Sequence, residues 1–123
     1  MAPVYSTAAI NARLQAIIDT IDGFGAGFLQ LLDDSAVVST IQLAEPCGSV
    51  NGGVLTFTGP RIAVAAGTGN INAGQITNGF GAIVASGLTA GIPGSSADII
   101  LNGSISVSAG QPVTMLSGQI VGS

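Results

Sequence analysis

The stretch "IAVAAGTGNINAGQITNGFGAIVASGLTAGIPG", residues 62–94, contains no charged side chain. Charged types make up about a quarter of the residues in an ordinary globular domain, so an exposed surface of this length should carry several. The apolar runs inside it, such as "IAVAA" and "AIVA", are short and broken by Gly, Ser, Thr, Asn and Gln. A membrane-spanning helix needs about twenty consecutive apolar residues, and this pattern does not supply them. It reads instead as strands with covered faces, in which uncharged polar side chains hydrogen-bond within an interface. A solitary monomer guards its exposed strands with charge. Such guards are missing here, so the segment is expected to be covered by neighbouring subunits, with Gln75, Ile83, Val84 and Ser86 as candidate contact positions.

Ahead of this stretch, residues 6–22, "STAAINARLQAIIDTID", form the one convincing helix. Ser6 or Thr7 can serve as N-cap. Ile10, Leu14, Ile17, Ile18 and Ile21 fall on one amphipathic face, and Gly23 is expected to close the helix in the left-handed conformation. A helix of this length is marginal alone in water. Its stripe must therefore dock, through Ile10, Leu14, Ile17 and Ile21, on its own sheet or on a neighbouring subunit.

The remainder, 28–121, reads as short strands between turns. Candidates are 28–32, 39–45, 53–58, 61–66, 71–77, 81–86, 97–101, 104–109 and 113–121. Asn-Gly pairs at Asn51-Gly52, Asn78-Gly79 and Asn102-Gly103 favour type I′ turns, and the last is flanked closely enough for a two-residue hairpin. Many short strands at roughly ten-residue spacing predict an antiparallel β-sandwich or jelly-roll-like domain, a single domain over 1–123 that is mainly β with one N-terminal amphipathic helix. Four Phe, one Tyr and no Trp leave Val, Ile, Leu and Ala to build the core. No period of 20–50 residues marks a solenoid.

The chemical inventory is narrow. The chain has no His, no Lys, and one cysteine, Cys47, so nucleophile–His arrangements, Cys/His zinc sites and lysine Schiff bases have no residues to carry them. Cys47 lies in the turn-rich "AEPCGSVNGG" and is expected to be a small, half-buried loop residue. Asp33-Asp34 is the only adjacent acidic pair; at a strand end the two side chains would point to opposite sides, and in a turn they would cap backbone N–H groups. Asp19 and Asp22 sit near the helix C-terminus, where negative charge is unfavourable, and solvated carboxylates are expected there in preference to a metal site. No catalytic residue, cofactor or metal is therefore expected. Arg13 and Arg61 are the only cations on a chain of net charge −4, which leaves no basic patch for phosphates and disfavours nucleic acid as a partner. The opening "MAPVYSTAAINARLQ" lacks the basic start and apolar block of a secretory signal, so a soluble chain without a membrane anchor is expected. "GFGAG" follows a helix and lacks the strand-to-helix setting of a nucleotide loop. "GLTAG" lies in a β region, and "NGS" at 102–104 reads as a hairpin turn.

Three segments, "NARLQAIIDTIDGFGAGFLQLLDD", "QLAEPCGSVNGGVLTFTGP" and "ADIILNGSISVSAGQPVTMLSGQIVG", resemble the capsid decoration (cement) proteins of tailed bacteriophages. Together they cover 69 of the 123 residues, a little over half of the chain. The resemblance implies a β-sandwich or jelly-roll-like protein, made in the host bacterial cytoplasm and bound in many copies to the exterior of an icosahedral head. There it would span joints between capsomers and resist the pressure of packaged DNA. Its implied partners are the major capsid protein and other copies of itself, as a dimer or trimer. The family has no catalytic residues to carry over. Another virion component (tail or baseplate) and a secreted β-rich adhesin or fibre subunit are the competing expectations.

Overall fold

The Oγ of Ser6 accepts a hydrogen bond from the backbone N–H of Ala9 at 3.2 Å, while the Ser6 backbone itself is extended. This is how a serine cap satisfies a donor that a helix start leaves open. The computed structural model describes residues 6–23, 25–34, 36–102 and 105–121. Helix α1 runs Thr7–Asp22. Leu14, Ile18 and Ile21 are buried, and Ile10 and Ile17 are half-buried against the same core. The helix stop differs from expectation. Gly23 is right-handed (φ −63°), and the left-handed step falls at Gly25 (φ 89°), whose N–H donates to the Asp22 carbonyl at 3.3 Å. Glycine is needed again at Gly27, where a Cβ would lie 2.5 Å from both Ile21 Cγ2 and the Thr77 carbonyl oxygen. Here the chain threads between the helix end and the sheet.

Strands β1 (Phe28–Asp33), β2 (Ala36–Gln42), β3 (Gly48–Asn51), β4 (Val54–Phe57), β5 (Arg61–Val64) and β6 (Gly69–Asn70) come first along the chain. They are followed by β7 (Ala73–Thr77), β8 (Ile83–Gly91), β9 (Ile99–Leu101), β10 (Ser106–Val107) and β11 (Pro112–Val121). One large sheet has the order β2-β1-β7-β8-β9-β11-β4-β3, with β5 also paired to β11 and β10 paired separately to β6. The pairing is antiparallel apart from β8 with β9, which run parallel through Ala90↔Ile99 and Gly91↔Ile100. The sheet curls on itself, because β5 returns beside β2. There Arg61 Nε donates to the Gln42 carbonyl at 2.9 Å, and Ala66 N donates to the Val38 carbonyl at 2.8 Å. The result is a mainly β, sandwich-like domain whose interior holds Leu29, Leu31, Ile41, Leu55, Phe57, Ile76, Ile99, Leu101 and Met115. Helix α1 packs on β3, β4 and β8.

The turn chemistry corrects three local expectations. Between β3 and β4 the pair Asn51↔Val54 brackets Gly52 and Gly53, both left-handed at φ 60° and 82°. The type I′ centre is thus Gly-Gly, with Asn51 in the flanking position. β9 pairs with β8 and β11 and β10 pairs with β6, so the strands on either side of Asn102-Gly103 are not each other's partners as the hairpin expectation required. Gly103 and Ser104 themselves lie outside the described residues. Ile99 and Leu101 are fully buried, and a strand held on both sides in the sheet centre outcompetes a local turn. Finally, β3 and β6 were not expected, because "GSVN" and "GN" lack the β-branched runs that mark strands.

Candidate interaction surface

Seven large hydrophobic side chains stand exposed among the described residues. Five of them, Ile62, Val64, Phe80, Ile83 and Ile92, belong to the uncharged stretch 62–94. On β5 the burial alternates in an unusual sense. Ile62 and Val64 are 67 % and 61 % exposed, while Ala63 is half-buried and Ala65, just beyond the strand, is buried. The large aliphatics face outward and the alanines face in. Opposite Ile62 and Val64 on β11 stand Thr114 and Pro112, and Leu116 is exposed further along that strand.

A second apolar region surrounds the connection from β7 to β8. Asn78 is buried, and its Oδ1 accepts from the N–H groups of Phe80 and Ala82 at 2.9 and 3.0 Å. Its own N–H donates to the Ala82 carbonyl at 2.9 Å. This network fixes a turn on which Phe80 is 78 % and Ile83 59 % exposed. Beside it lies a groove of about 500 Å³ between α1 and β8, lined by Arg13, Ile17, Thr20, Ala82, Ile83 and Val84.

The candidate contact residues separate accordingly. Leu14 and Ile21 are buried inside the chain's own core, so of the two docking partners expected for the helix stripe its own sheet takes these residues. Ile10 and Ile17 are half-buried, and of the two only Ile17 borders the groove. Gln75 is half-buried, stands opposite Gln30 and donates from Nε2 to Gln30 Oε1, so it belongs to the β1–β7 pairing. Ile83 and Ser86 are exposed and Val84 is half-buried. Ile62, Val64 and Phe80 were not singled out by the sequence. The alternation of large and small apolar residues in "RIAVA" is the signal for the first two, but hydrophobicity alone does not say which set faces the core.

The polar groups are engaged structurally. Asp33 Oδ2 accepts from Asn70 N at 3.1 Å. Asp34 and Asn72 exchange two hydrogen bonds at 3.0 Å. Asp19 Oδ1 accepts from Gln15 Nε2 at 3.2 Å. Asp22 Oδ2 accepts from Cys47 N at 3.2 Å, and Asp22 Oδ1 is buried without a hydrogen-bond partner among the described residues. Cys47 is fully buried, deeper than a loop position suggested. Burial first, then the negative charge of Asp22, push its thiol up to about 12. Among the described residues no group of three His, Cys, Asp or Glu could hold a metal ion, and no helix is long and apolar enough to cross a membrane. No protein-family model, curated protein or solved structure matches the chain.

Proposed function

We propose that this chain is a structural virion protein, a decoration (cement) protein seated on the exterior of a bacteriophage capsid. It binds the major capsid protein and further copies of itself, and it stabilises the head mechanically. The carrying observation is that, among the described residues, five of the seven exposed large hydrophobics fall in a stretch with no charge. Interface cores are depleted in charge and enriched in apolar contact, and an exposed sheet of this kind left bare is an aggregation hazard. The resemblance of the three quoted segments supports the phage head as the place where that surface is covered.

The test is reconstitution. Purified chain added to heads that lack it should bind saturably, at hundreds of copies per particle, and raise the temperature at which the heads rupture. Binding at only a few copies per particle would move the protein to the tail. Failure to bind any particle would remove it from the virion.

A further inference from the structure

A cavity of about 350 Å³ opens on the outer face of β4, β9 and β11, and its lining includes Thr56, Ser96, Asp98, Ile100, Ser117 and Gln119. Its floor is set by strand register: Thr56 stands directly opposite Gln119, and Ser117 opposite Ile100. Its wall is the segment that leads into β9. That segment is turned by left-handed Gly94 (φ 93°) and by the Ser95 N–H donating to the Ile92 carbonyl at 3.1 Å. Asp98 is held in place before any ligand arrives. Its Oδ2 accepts from Thr89 N at 3.0 Å and from Thr89 Oγ1 at 3.2 Å, and its N–H donates to Thr89 Oγ1 at 3.0 Å. Its carbonyl accepts from Gln119 N at 3.0 Å. Oδ1 has no hydrogen bond from any described residue.

We infer that this cavity is a binding site for a neutral saccharide of about one ring. The lining has no Arg, Lys or His, so it lacks the charged forks and donors that hold phosphate or carboxylate ligands. It offers serine and threonine hydroxyls and a glutamine amide, each both donor and acceptor, together with one fixed carboxylate acceptor and the apolar patch of Ile100. Several hydroxyls on a compact carbon frame match that mixture. The volume lies at the low end of small-molecule sites, which limits the occupant to about one ring. The site shares none of these residues with the apolar surface described above, and the inference is independent of the capsid reading.

The experiment is an NMR titration of the full chain with the methyl glycosides of glucose, galactose, mannose and N-acetylglucosamine, with inorganic phosphate and calcium chloride as separate arms. At least one glycoside should shift the amides of Ser96, Ser117, Gly118 and Gln119, saturating with a dissociation constant of about 1 mM, as expected of a small polar ligand. Ser117→Phe fills the cavity without touching the Asp98–Thr89 link and should weaken that binding at least tenfold while leaving the rest of the spectrum in place. Thr56→Val, which removes a hydroxyl at constant shape, should weaken it by a smaller factor. Three results would overturn the inference: no glycoside response up to tens of millimolar, a response unchanged in Ser117→Phe, or shifts at these amides produced only by phosphate or calcium.

Discussion

The backbone N–H of Cys47 donates to Oδ2 of Asp22 at 3.2 Å, which ties the residue just before β3 to the last residue of α1. This bond is a partly buried polar contact between the helix end and the sheet on which the helix packs.

The burial of the Cys47 thiol beside Asp22 makes the stability depend on alkaline pH. The thiol is raised from 9.0 to about 12 in the folded chain by burial and by the Asp22 charge. Its contribution to stability is therefore fully present below about pH 9 and is lost as pH rises toward 12, because the unfolded chain releases the proton first. Denaturant midpoints should be flat in this respect below pH 9 and fall between pH 9 and 12, and Cys47→Ala should flatten that slope. Alkylation of the native thiol should stay slow at pH 8 and become fast in denaturant. Asp22→Asn, which removes the nearby charge, should bring the thiol's titration down.

The helix face provides a second expectation. Leu14 is 2 % exposed and packs in the common core, so Leu14→Ala should destabilise the isolated chain by about 2–5 kcal/mol. Gln15 is exposed, and Gln15→Ala should stay within about 0.5 kcal/mol. Equal midpoint shifts in urea for the two variants would place the helix on the wrong face.

The β7–β8 turn provides a third. Asn78→Ala leaves the N–H groups of Phe80 and Ala82 without their shared acceptor, and at this partly exposed turn each lost bond costs about 0.5–1.5 kcal/mol. The variant should lose stability, and its amides at 80 and 82 should exchange faster, while β3 and β4 remain protected. Asn78→Asp retains an acceptor oxygen and should lose less.

The helix was legible because Ile10, Leu14, Ile17, Ile18 and Ile21 recur at one period, and local periodicity suffices to place a helix face. Strands β1, β7 and β11 were legible as β-branched and aliphatic runs. What escaped was decided by non-local competition. Nothing near Asn102 announces that β11 will take β9 as its partner, and the parallel β8–β9 pair has no turn between its strands to betray it. "GSVN" becomes β3 because β4 pairs along its whole length. Of the candidate contact positions, Ile83 and Ser86 are exposed and Val84 is half-buried, whereas the Gln75 side chain is taken up by Gln30 across the strand pair. The outward Ile62 and Val64 were hidden because large and small apolar residues alternate on β5, and hydrophobicity alone does not say which set faces the core.

The last expectation concerns the covering of residues 62–94. Part of the segment is covered by its own chain: Ala65, Ile71, Ile76 and Leu88 are buried. The remainder, with Ile62, Val64, Phe80, Ile83 and Ile92 outward, is the surface that the capsid reading requires a partner to bury. Gln75→Lys would disturb the Gln30 contact as well as any interface, so it is expected to lower the stability of the free chain and is a poor probe. Ser86→Lys is the clean one, because Ser86 is exposed on β8 and a surface substitution there should change stability by less than about 0.5 kcal/mol. A lysine buried without a partner in an interface core is strongly unfavourable, so Ser86→Lys and Ile83→Lys should leave the chain folded yet reduce its binding to particles by at least tenfold. Hydrogen exchange supplies the independent measurement. Amides of β5 and of the β7–β8 turn should exchange more slowly on the particle than in the free chain, whereas those of β1 should be equally protected in both. If the exchange rates at 62–64 and 80–86 are the same in free and bound protein, this face is solvent-facing in the assembly, and the particle is held by some other surface.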